Sequence, residues 1–132
     1  RASIINLMKT FQKQYNITIL FISHDIAVVR QICNRIIVMY LGKIFETAKV
    51  PELFDEPFHP YTKALLSSVP IPDPDVKKER IILEGDVPTP INPPTGCRFH
   101  PRCFERMPIC SEVEPKKIEI NENHSVFCHL YK

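Results

Sequence analysis

The chain is poor in glycine, with only Gly42, Gly85 and Gly96 among its 132 residues. None belongs to a glycine-rich loop ending in Gly-Lys-Ser or Gly-Lys-Thr, so no segment here can wrap main-chain amides around a nucleotide phosphate. Nor does any strand-like run end in the paired carboxylates that would hold magnesium. Taken alone, this sequence does not hydrolyse a nucleotide. Long apolar runs are also missing: the longest, Ile36 to Leu41, falls far short of the roughly 20 residues that span a membrane. Charge of one sign is missing as well. A formal net charge of +2 with 24% charged residues provides no basic field for nucleic acid. No secretory or transit segment is legible, so the expected surroundings are reducing, where thiols serve metals or catalysis more often than disulfides.

Proline is absent from the first fifty residues, whereas all thirteen prolines and four of the five cysteines lie at Pro51 or later. The composition therefore divides the chain near residue 50. Fifty residues bury too little surface to stand alone, and the chain begins at Arg1, so the expectation is a fragment.

In the first part, Ile4, Met8, Phe11 and Tyr15 recur at helical spacing and predict a helix over residues 2–15. The run "ITILFI", Ile17 to Ile22, is short and rich in β-branched residues, which predicts a strand covered on both faces in a parallel sheet. Asp25 is suited to cap a helix running to Cys33, with Ile26, Val29 and Ile32 or Cys33 facing inward. "RIIVMY" and "KIFET" flank Leu41-Gly42, a hairpin pattern. Cys33, on an apolar helix, is expected in the core.

Past residue 50, Pro51 starts a short helix and Pro60 another, with Tyr61, Ala64, Leu65 and Val69 as its apolar stripe. "PIPDPD" is an extended linker, because its prolines forbid helix and remove ladder donors. Ile81 to Leu83 and Lys117 to Ile120 are the remaining strand candidates. So thin a framework is expected to need a staple.

The staple candidates are Cys97, Cys103, Cys110 and Cys128, separated by five, six and seventeen residues. Four thiolates meeting at one centre suit either a tetrahedral zinc site or a 4Fe-4S cluster. The two-residue knuckles usual in structural zinc sites are absent, and the wide gaps favour the bulkier cluster. Two disulfides, or four unlinked thiols, are the alternatives. Arg98, Arg102 and Arg106 are expected to lower the thiol pKa values, and His100 reads as a surface histidine with the capacity to substitute as a ligand. His24 stands at the end of "ITILFIS", where open α/β sheets place their ligands.

Three blocks carry a resemblance. "ILFISHD" resembles the switch region of ABC ATPases, and "IIVMYLGKIFE" resembles the strand pair that follows it there. "FHPYTKALLSSVP" and "GDVPTPINPPTGCRFHPRC", with Cys110 and Cys128, resemble the C-terminal extension of the ATP-binding subunits of peptide-type ABC importers, the dipeptide, oligopeptide and nickel group. The resemblance covers essentially all 132 residues.

It implies an α/β fold: residues 1–50 as the distal part of a P-loop ABC nucleotide-binding domain, and residues 51–132 as an irregular, cysteine-stapled extension. It implies that His24 contacts the γ-phosphate of ATP and is the catalytic residue in this stretch. Further implications are a 4Fe-4S cluster on Cys97, Cys103, Cys110 and Cys128, with zinc or no metal as alternatives, and ATP with Mg in the intact subunit. The implied partners are a second ATPase subunit, transmembrane permease subunits and, indirectly, an extracytoplasmic peptide-binding protein, without nucleic acid. The implied location is the cytoplasmic face of the cell membrane, as a peripheral protein. Against this stand an independent zinc- or cluster-stabilised interaction module and a small iron-sulfur electron carrier.

Overall fold

The computed structural model describes residues 2–131, and the chain divides between Asn34 and Arg35 into two units.

The first unit holds two helices. α1 (Ala2–Tyr15) follows the expected periodicity, and α2 (Ile26–Ile32) starts where Asp25 accepts hydrogen bonds from the amides of Ala27 and Val28 at 3.1 and 3.3 Å. Neither helix buries a residue, and Cys33 is half-buried rather than a core residue. The strand expected at residues 17–22 is not formed. A strand exists only when its amides and carbonyls find a neighbouring ladder, and no described segment pairs with this run, which leaves Leu20 and Ile22 84% and 89% exposed.

The second unit is built on a four-stranded antiparallel sheet in the order β1-β2-β4-β3. β1 (Arg35–Tyr40) and β2 (Lys43–Lys49) form the expected hairpin, with Leu41 at φ 46° and Gly42 at φ 76°, as a tight turn with two left-handed residues requires. Side chains of β1 alternate strictly between exposed and buried, which sends Ile36, Val38 and Tyr40 inward. β3 (Lys117–Asn121) and β4 (His124–Phe127) make a second hairpin, and β4 adds to the free edge of β2 through Glu46 opposite Val126. The expected strand at residues 81–83 is irregular chain instead.

α3 (Val50–Asp55) and α4 (Pro60–Ser67) each begin with proline in the first turn. α4 buries Thr62, Ala64 and Leu66, so its inner face is turned from the expected stripe: Tyr61, Leu65 and Val69 are only half-buried. The joint between sheet and helix is the carboxylate of Glu46, fully buried. It accepts the amides of Phe58 and His59 at 2.8 and 2.9 Å, and its Oε1 lies 2.6 Å from Nε2 of His124 on β4.

The segment carrying the cysteines is not held by a covalent staple. No disulfide forms among the described residues. It rests instead on an aromatic core in which Phe99, fully buried, packs edge-on against Tyr40 and Phe45 with centroids 5.5 and 6.3 Å apart, and against Tyr61 at 5.3 Å. Glu46→Ala removes one buried charge and orphans three donors, so it is expected to lower the unfolding free energy by about 3–5 kcal/mol in denaturant titration, with Glu46→Gln losing less. A loss below about 1 kcal/mol for the alanine variant would show the carboxylate to be dispensable.

Candidate functional site

Cys97, Cys103, Cys110 and Cys128 line one partly open cavity. Local structure explains their convergence. Gly96, at φ 66°, reverses the chain against the 3-10 turn Pro108–Ser111, and the Cys97 amide donates to the Cys110 carbonyl at 2.8 Å. A second 3-10 turn, His100–Arg102, carries the chain from Cys97 to Cys103, and Cys128 directly follows β4.

Each sulfur faces main-chain donors. Phe99 and His100 provide them for Cys97, Glu105 for Cys103 and Leu130 for Cys128, while the Met107 amide lies 3.4 Å from the sulfur of Cys110. Burial nevertheless dominates. It pushes the Cys97 and Cys128 thiols up to about 11 and raises Cys103, helped in each case by the neighbouring cysteines. At Cys97, Cys103 and Cys128 burial outweighs the expected depression by arginine. Arg98 donates to the Leu41 carbonyl and Arg102 to that of Glu84 at 3.3 Å; only Arg106 acts downward, and weakly, on Cys103.

Four soft donors on one cavity, each met by an N–H, fit a thiolate-bound inorganic centre: such donors do most for a sulfur bearing negative charge. Among the described residues, however, no set of three histidine, cysteine, aspartate or glutamate side chains is arranged to hold a metal ion.

His100 is not the surface residue expected from the sequence. It is half-buried on the cavity wall, its Nδ1 lying 2.9 Å from the Cys97 carbonyl. His59, which the sequence reading does not single out, also lines the cavity and is 1% exposed. Its Nδ1 accepts the Tyr61 amide at 3.0 Å and so caps α4. Burial, with the charge of Lys63 second, pushes this histidine down to about 3. The legible signal was its place directly before Pro60 at a helix start. His24 belongs to the first unit, exposed in the irregular chain before α2.

The family described as "Oligopeptide/dipeptide transporter, C-terminal region" matches residues 45–110, half of the chain. The putative oligopeptide transport ATP-binding protein YkfD of Bacillus subtilis (strain 168) is 52% identical over all of this chain and 41% of its own length. AppF of the same organism, an oligopeptide transport ATP-binding protein, is 53% identical over 99% of the chain and 40% of itself. OppF of Haemophilus influenzae, named likewise, is 45% identical over 97% and 39%. The chain belongs to the oligopeptide/dipeptide transporter family, as its C-terminal region, in agreement with the resemblance read from the sequence. It spans about two fifths of the length of these curated relatives.

Gly96→Ala tests the site's assembly. A Cβ there would lie 2.4 Å from the Cys110 carbonyl oxygen and 2.8 Å from the Ser111 carbonyl carbon, in a left-handed conformation. The variant is expected to lose about 2–4 kcal/mol of stability and to show faster alkylation of Cys97 and Cys110; unchanged melting and alkylation would contradict this role.

Proposed function

We propose that this chain is the C-terminal part of an ATP-binding subunit that powers peptide or nickel import by an ABC transporter, and that Cys97, Cys103, Cys110 and Cys128 hold a 4Fe-4S cluster. The transport reading is supported by the family match and by the names of the relatives. It brings ATP and Mg, a second ATPase subunit, permease subunits, an extracytoplasmic peptide-binding protein acting indirectly, and a place at the cytoplasmic face of the membrane. No helix among the described residues is long and apolar enough to cross a membrane.

The observation that carries the cluster is the shared cavity with a main-chain donor at every sulfur. A single zinc ion is the alternative: arms of about 2.3 Å need sulfurs about 3.8 Å apart. Bound there, a cluster would supply one-electron chemistry and a cross-link among four separate stretches of chain. The chain's own part is to orient the thiols and shield them from solvent.

Anaerobic reconstitution of the chain with ferrous iron and sulfide tests this. A brown protein with iron and labile sulfide in equal amounts, about four of each per chain, is the expected result. Colourless protein that takes one zinc instead, or neither metal, would overturn the cluster.

In the same proposal His24 contacts the γ-phosphate and helps place the attacking water, since phosphoryl transfer depends mainly on positioning and electrostatics. In a subunit that joins this sequence to a phosphate-binding loop, His24→Ala is expected to lower kcat about 100-fold while ATP affinity changes less than about threefold. Equal losses in both would exclude this division of roles.

A further inference from the structure

Three buried polar side-chain atoms find no hydrogen-bond partner among the described residues: the hydroxyls of Tyr40 and Thr62, and Nε2 of His59. Of these residues only His59 lines the cysteine cavity. The hydroxyls rotate freely about one bond, but the imidazole does not. It is held by the Tyr61 amide on Nδ1, stacks on Phe45 at 4.3 Å with planes 12° apart, and lies against Phe99 at 5.9 Å. Its backbone amide is fixed by Glu46 at 2.9 Å. A nitrogen that accepts a hydrogen bond carries no proton, so in the neutral ring the proton is on Nε2. The result is a rigid, buried N–H donor without a partner among the described residues, on a side chain that lines the same cavity as the four cysteines. A buried donor left unpaired is costly, and so firm a placement calls for an acceptor.

We propose that His59 is a positioning residue for the cysteine-held centre, its Nε2–H donating to a sulfur of that centre and favouring its reduced form. This rests on the cluster reading given above. Reduction adds negative charge to the sulfurs, which strengthens an N–H···S bond and raises the reduction potential. Neither the capping of α4 nor the packing on Phe45 requires a proton at Nε2, so the donor is separable from the scaffold.

Two variants separate them. In His59→Asn, the amide oxygen takes the place of Nδ1 and still caps Tyr61, with no donor at the outer position. In His59→Gln, the longer amide returns a donor to that outer position and gives up the cap. The chain and both variants are reconstituted anaerobically with ferrous iron and sulfide, their iron and sulfide contents measured, and their midpoint potentials determined by spectroelectrochemical titration. His59→Asn is expected to shift the midpoint negative, by about a tenfold change in the reduced-to-oxidised ratio at fixed potential, which is about 59 mV for one electron. His59→Gln is expected to recover at least half of that shift. Failure of His59→Asn to hold a cluster that His59→Gln retains also supports the donor. An unchanged midpoint in His59→Asn at equal iron content overturns the proposal and leaves the cluster intact, as does an equal shift or equal loss in both variants. Failure of the unaltered chain to take up iron and sulfide removes the cluster itself, and the donor role with it.

Discussion

The second unit depends on one buried anion. Glu46 lies on β2 with no exposure, and an unpaired carboxylate in that position would be prohibitive. Three donors make it tenable: the amides of Phe58 and His59 and the imidazole of His124. Those donors come from the approach to α4 and from β4, so a single side chain fixes the helix entrance and the returning hairpin to the same strand. The Phe58 ring stands edge-on to His124 at 4.9 Å, and Tyr131 donates to the Phe58 carbonyl at 2.6 Å. The residues that follow Cys128 are thereby tied to the start of α4. Strand pairing between β2 and β4 is short, involving Glu46 and Thr47 alone. The charged joint therefore carries much of the geometry that a longer ladder would otherwise set.

Apolar packing does the complementary work. Tyr40 and Phe45 sit on opposite sides of the Leu41-Gly42 turn, 5.6 Å apart, and Phe99 and Tyr61 pack against both and against each other. The Arg98 guanidinium bonds the Leu41 carbonyl, so the residue between Cys97 and Phe99 is clamped to the hairpin. That core removes the need for a covalent staple, which was expected because the segment shows so little periodicity. The aromatic rings that build it come from β1, β2, α4 and a loop, and no local pattern links them.

What was legible in the sequence was local. Asp25 before an apolar helix, proline at the start of α3 and α4, and glycine in a two-residue turn each state their own backbone requirement, and those elements appear as expected. Strand formation at residues 17–22 was not decidable locally, because Ile17 to Ile22 can be a strand only beside another. β4 went unrecognised for a similar reason: His124-Ser125-Val126-Phe127 is too short and too mixed to show alternation, and it is a strand because Glu46 and Ile118 lie across from Val126. Within the site, the cysteines announced themselves by type. His59 and Glu46 did not, since the partners that give them meaning lie 13 residues apart in one case and 78 in the other.

The cysteine spacing follows from the donors. A two-residue knuckle shares one tight turn between two sulfurs and presents them to one ion. Here every sulfur has its own turn: Gly96 to His100 for Cys97, the chain through Glu105 for Cys103, the 3-10 turn after Met107 for Cys110, and the residues to Leu130 for Cys128. Separate turns need separate lengths of chain, which gives gaps of five and six residues. The seventeen-residue gap contains the whole β3–β4 hairpin, so the place of the last cysteine is set by the pairing of β4 with β2. Because β4 carries His124, which meets Glu46, the carboxylate that holds the His59 amide also fixes the strand leading to the fourth sulfur. Histidine donor and terminal cysteine are thus placed by one charge, and the cavity is complete only when the sheet is.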